Sequence, residues 1–100
     1  VIEASPKTQD AYLYRARTNS LMENDEMTIK YYDEFVKVVT EKGPEELAKP
    51  ATVKKIIESY NTSAASYANT DKAKAIEYFN KTLAIDPTNQ YALDSIKALK

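Results

Sequence analysis

The chain has 100 residues, 14 basic and 15 acidic side chains and a formal charge of −1 at pH 7, which is the size of a single compact domain. Because the two signs are interleaved there is no basic footprint for a phosphate backbone, and no apolar run approaches the roughly 20 residues that span a membrane. Cysteine and histidine are absent, which excludes disulfides, thiol catalysis, the usual zinc sites and the commonest general base. One glycine and a high charged content point to helices over strands, hairpins and phosphate-cradling loops. The compartment stays open, since a lack of cysteine suits the cytosol and an oxidising envelope alike. The chain has no initiator Met, and Val1-Ile2-Glu3-Ala4 is no signal peptide, so a fragment is expected.

In chain order, Val1 to Ala4 reads as an apolar helix tail broken at Ser5-Pro6. Thr8 is expected to cap a helix over 9–23, QDAYLYRARTNSLME, with Tyr12, Ala16 and Asn19 on one face and Leu13 and Leu21 at its flank. Asn24-Asp25 makes a turn. A second helix over 26–42 buries Ile29, Tyr32, Phe35, Val36 and Val39, and Gly43-Pro44 stops it. In GPEELAKPATVKK, residues 45–49 fit one helical turn and Pro50 opens the next helix. That helix has two registers. One places Ser59, Thr62 and Ser63 in the core; the other places Tyr60, Ala64 and Tyr67 there, continuous with Val53 and Ile57. The second is chosen, because a large apolar side chain gains roughly 1.5–3 kcal/mol on burial. After Asn69-Thr70 a helix carries Ala75, Phe79 and Leu83 on one face, widened by Ile76 and Ile85, and Pro87 ends it. Residues 90–100, QYALDSIKALK, form a last helix covering its predecessor with Ala92, Leu93, Ile96 and Leu99.

DKAKAIEYFNKTLAIDPTN, residues 71–89, resembles the second helix and exit of a tetratricopeptide repeat, with Ala75, Phe79 and Pro87 at its signature places. YLYRAR places Tyr12 and Ala16 likewise, and Met27 to Tyr32 aligns with Lys74 to Phe79, with Thr28 replacing the family's small alanine. Ile29 and Ile76 lie 47 residues apart, against a family unit of about 34, so 43–55 reads as an insertion. The resemblance implies an all-α, antiparallel helix-hairpin solenoid. Its parts are the tail of a preceding repeat (1–8), repeat 1 (9–42), the insertion, repeat 2 (56–89) and a capping helix (90–100). Lys100 is then expected to be the end of a longer array. YLYRAR, KYYDEF and DKAKAIEYF are also similar to C-terminal repeats of multi-repeat proteins of Bacteroidetes-type bacteria. That likeness implies a cell envelope or periplasm, with the cytoplasm as the alternative.

The family binds peptides or partner helices on a concave groove lined by the first helix of each pair. The resemblance therefore implies groove residues Asp10, Leu13, Arg17, Ser20 and Leu21, then Glu58, Asn61, Ala65 and Ala68, then Tyr91 and Asp94. Arg17 suits a carboxylate. The lysine, asparagine and arginine set with which some relatives grip a C-terminal carboxylate is missing, since Leu13, Arg17, Asn61, Tyr91 and Ser95 occupy those places. Of the eight tyrosines, Tyr12, Tyr32, Tyr60 and Tyr67 fall on core stripes, while Tyr14, Tyr31, Tyr78 and Tyr91 fall at the surface or between repeats. Asp25-Glu26, Asp33-Glu34 and Glu45-Glu46 are adjacent residues that point apart on a helix, so neither a metal nor a catalytic pair is expected. The glycosylation-type sequences at Asn61 and Asn80 lie inside expected helices. The expected function is protein or peptide binding as an assembly scaffold, without turnover, cofactor or nucleic acid. Self-association through the outer face of the 9–42 pair is also expected. The alternatives are a structural end-cap with no ligand and an accessory domain of an enzyme.

Overall fold

The structure, a computed structural model, describes residues 6–100. It is all-helical, with helices α1 (Pro6–Leu21), α2 (Asp25–Glu41), α3 (Pro44–Leu47), α4 (Pro50–Tyr67), α5 (Lys72–Ile85) and α6 (Gln90–Leu99) and no strand among the described residues. Local chemistry explains where these helices start and stop. Asn24, Asp71 and Asn89 accept from the backbone N–H three residues on, at 3.3, 3.1 and 3.0 Å, and so satisfy donors that a helix start leaves open. Glu23 adopts φ 58 and turns the chain out of α1. Gly43 takes φ 97, a left-handed conformation that favours glycine, and Pro44 and Pro50 sit in the first turns of α3 and α4.

α1 begins at Pro6 rather than Gln9, so Thr8 lies inside the helix and is not its cap; a proline is tolerated in a first turn because its missing N–H has no helical partner there. The expected tail at Val1 to Ala4 lies outside the described residues. α1 packs on α2, α2 on α4, α4 on α5 and α5 on α6, with α3 as a one-turn connector. The thinnest extent, 17 Å, leaves room for two layers of helices about 10 Å across.

Two separate apolar clusters hold these packings. Leu13, Ala16, Tyr32, Phe35, Val39 and Ile56 form the first, and Ala64, Ala75, Tyr78, Phe79 and Ala92 form the second. Ile29, Val36 and Tyr12, expected in the core, are half-buried, as are Asn19, Ile76 and Leu83. Ile85 and Leu93, expected to be covered, are exposed.

The register of α4 corrects the expectation. Thr52, Ile56, Ser59, Ser63 and Ser66, spaced by four and three residues, are buried, whereas Val53, Ile57, Tyr60 and Tyr67 are half-buried. α4 lies between α2 and α5 and buries two sides. Ile56 packs in the first cluster and Ser66 lines a cavity shared with Asp25, Ile29 and Lys30 of α2, so the small-residue stripe faces α2. Ala64, with Tyr60 and Tyr67, packs in the second cluster against α5. Tyr78, expected at the surface or between repeats, is not at the surface: it is buried against Tyr67, with ring centroids 5.3 Å apart.

Candidate functional site

Lys55, Glu58, Asn61, Ala65 and Ala68 recur every three or four residues and so form one strip along α4. α1 flanks the first half of this strip. Arg17 donates to Glu58 through Nε at 2.8 Å and Nη2 at 2.7 Å, a two-pronged contact that fits the planar guanidinium to a carboxylate. Asp10, seven residues earlier on the same face of α1, sits 3.7 Å from Lys55 Nζ. From beneath, Tyr32 Oη donates to Glu58 Oε2 at 2.7 Å. Burial pushes the Glu58 pKa up, but the bonds from Arg17 and Tyr32 outweigh it, and the carboxyl stays below its ordinary value. The bond to Glu58 also raises the Arg17 pKa, and burial followed by the same carboxylate raises that of Tyr32.

α6 flanks the second half. Asn61 Oδ1 accepts from Thr82 Oγ1 at 2.7 Å, and its Nδ2 lies 3.4 Å from Oδ1 of Asn89, the residue that caps α6. Asn61 thus ties α4 to α5 and to the start of α6. Beyond it, Ala65, Ala68, Phe79, Tyr91, Ser95, Ala98 and Leu99 line a cleft of about 210 Å³. Small alanines on α4 leave its opening, Phe79 supplies its floor, and Tyr91, 54% exposed, stands edge-on to Phe79 at 5.7 Å. No charged side chain lines it.

Of the residues expected on a groove, Asp10, Arg17, Glu58, Asn61, Ala65, Ala68 and Tyr91 come to this strip and its flanks. Leu13 does not: it is 2% exposed in the first cluster, because it lies on the side of α1 that meets α2. Ser20 is half-buried near the end of α1, and Leu21, its last residue, is 86% exposed. Asp94 is exposed and accepts from Gln90 Nε2 at 2.8 Å within its own helix.

Several features were not anticipated. Tyr78 Oη donates to both oxygens of Asp33, at 3.1 and 3.2 Å, joining α5 to α2. Burial raises the Asp33 pKa against that bond, and burial together with Asp33 raises the Tyr78 pKa. Lys81 Nζ lies 4.3 Å from the centre of the Tyr78 ring. A cavity of about 460 Å³ lies between the start of α2 and the end of α4, lined by Asp25, Glu26, Ile29, Lys30, Ser66, Tyr67 and Thr70. Its two carboxylates sit in the first turn of α2, where the helix dipole favours them. These pairings join residues 26 to 45 positions apart, and no local sequence signal marks them.

The strip offers an apolar cleft beside polar groups already engaged with one another. Among the described residues no group of three or more acidic side chains is placed to hold a metal ion, and no helix is long and apolar enough to cross a membrane. No family model, no curated protein and no solved structure matches the chain.

Proposed function

We propose that this chain is a tetratricopeptide-like helix-hairpin module that binds a protein or peptide on the face built from α1, α4 and α6. The resemblance of residues 71–89 supports it, as does the packing of each long helix on its predecessor. The observation that carries the reading is the cleft between α4 and α6, open to solvent, lined by apolar side chains and edged by an exposed tyrosine. Tyrosine at a rim with small residues behind it suits an apolar side chain of a partner. Binding then comes from shape and apolar burial, with no bond made or broken.

Selection from a random peptide display library tests this. Peptides recovered on the native chain should lose binding to Ala65→Arg, which fills the cleft, and keep it on Lys37→Ala, which alters an exposed position on α2. Equal binding to all three chains, or no enrichment, contradicts it.

One observation favours a second reading, a structural end-cap without a ligand. Arg17, Glu58 and Asn61, the polar groups best suited to grip a partner, are engaged within the chain. Self-association of the α1–α2 pair belongs to either reading, since Leu21 and Met22 are exposed at the turn between the two helices. Light scattering that shows a monodisperse monomer at high concentration contradicts it.

A further inference from the structure

The first apolar cluster is drawn mainly from α1 and α2 and the second from α4, α5 and α6; only Ile56 among the buried residues of the first comes from α4, and Tyr60 is packed against both clusters. The seam between these two bodies, α1–α2 and α4–α6, is the contact of α2 with the Thr52–Ser66 stripe of α4. That stripe is mostly small hydroxyl side chains, with Ile56 its one large apolar residue. The Ser63 hydroxyl is buried there without a hydrogen-bond partner among the described residues. Such a seam buries little apolar surface for its length, and it gains nothing from Ser63.

Directed bonds close the seam on both edges. On one edge Tyr32 donates to Glu58 at 2.7 Å and Arg17 closes over it. On the other, Tyr78 donates to Asp33 at 3.1 Å. Tyr32 and Asp33 are consecutive on α2, so they point about 100° apart and reach different helices of the second body. Each body supplies one tyrosine and one carboxylate. The arrangement is reciprocal.

We propose that the α2–α4 seam is a hinge between the α1–α2 pair and the α4–α6 group, bridged in its apolar core by Ile56 and Tyr60, and that the Tyr32–Glu58 and Tyr78–Asp33 bonds are the latches that hold it at one angle. Because α1 stands on one side of the hinge and α6 on the other, the latches also set the curvature of the face between them. This holds whether or not that face binds a partner.

The chain has no cysteine, so spin labels can be placed at Thr18→Cys on α1 and Lys97→Cys on α6, both exposed. Pulsed electron-spin distance measurement reads the separation of the two bodies. The variant Tyr32→Phe with Tyr78→Phe should keep its helical circular dichroism and show a shifted, broader distance distribution. Thr82→Val, which breaks a bond inside the second body, should leave the distribution as narrow as in the parent chain. A tyrosine double variant with an unchanged distribution overturns the proposal, and so does equal broadening in Thr82→Val. Should the double variant fail to fold, Tyr78→Phe alone, which opens one latch and leaves the other closed, decides in the same way: broadening supports the hinge and no change overturns it.

Discussion

The two buried sides of α4 are held by different physics. Toward α5 it presents Tyr60, Ala64, Tyr67 and Ala68, and rings pack on rings: Tyr60 and Tyr67 lie 6.3 and 5.3 Å from Tyr78. Toward α2 it presents Thr52, Ser59, Ser63 and Ser66 around a single isoleucine, and the contact is closed by bonds from Tyr32 and Tyr78 at its edges. Apolar packing is undirected and roughly proportional to area, whereas hydrogen bonds fix an angle but add only about 0.5–1.5 kcal/mol each. The α5 side therefore supplies most of the cohesion, and the α2 side sets orientation.

The largest expected effect lies on the α5 side. Phe79→Ala removes the floor of the second cluster and should cost about 3–5 kcal/mol in denaturant unfolding. A loss below about 1 kcal/mol breaks the contrast. Asn61→Ala is next. It leaves the buried Thr82 hydroxyl without its partner and frees the cap of α6, an expected loss of about 1–3 kcal/mol by the same assay.

On the α2 side, Arg17→Gln should cost no more than about 1 kcal/mol, because water reaches the Arg17–Glu58 pair and screens it. Acid sharpens the same point through two carboxyls whose pKa values are shifted in opposite directions. Glu58 has a folded pKa below its ordinary 4.5. Its contribution to stability is present above that value and is lost as pH falls through the lower, folded one. Asp33 is shifted up by burial, so its charge opposes folding at neutral pH and that penalty lifts as the carboxyl protonates. Unfolding curves taken from neutral pH downward should lose less in Glu58→Gln than in the native chain. Asp33→Asn should instead be relatively more stable at neutral pH, provided its amide oxygen still accepts from Tyr78.

Helix number and most boundaries are legible from the sequence because their causes are local: Asn24, Asp71 and Asn89 cap, and Gly43, Pro44, Pro50 and Pro87 punctuate. The clustering of Asp10, Arg17 and Glu58 is what the family resemblance implies, since periodicity alone puts Asp10 and Arg17 on one face of α1 and says nothing of α4. What periodicity hides is a helix with two covered sides. An apolar count favours Tyr60 and Tyr67 and sets aside Ser59 and Ser63, yet a serine hydroxyl can be satisfied within its own helix, as Ser59 is by Lys55 O at 2.8 Å. Leu13 misleads in the reverse sense, since its position on a resembling repeat says groove while its neighbours on α2 bury it. Tyr78–Asp33 has no trace in the sequence because the two residues are 45 positions apart.

The most direct test of the α2–α4 seam is a pair of substitutions at Ser63, which is 0% exposed. Ser63→Ala removes the unpartnered hydroxyl and should leave the unfolding midpoint unchanged or raised, while Ser63→Leu overpacks the seam and should lose about 1–3 kcal/mol. A leucine tolerated there without loss means that this side of α4 is open to solvent, and the two-sided account of the helix fails.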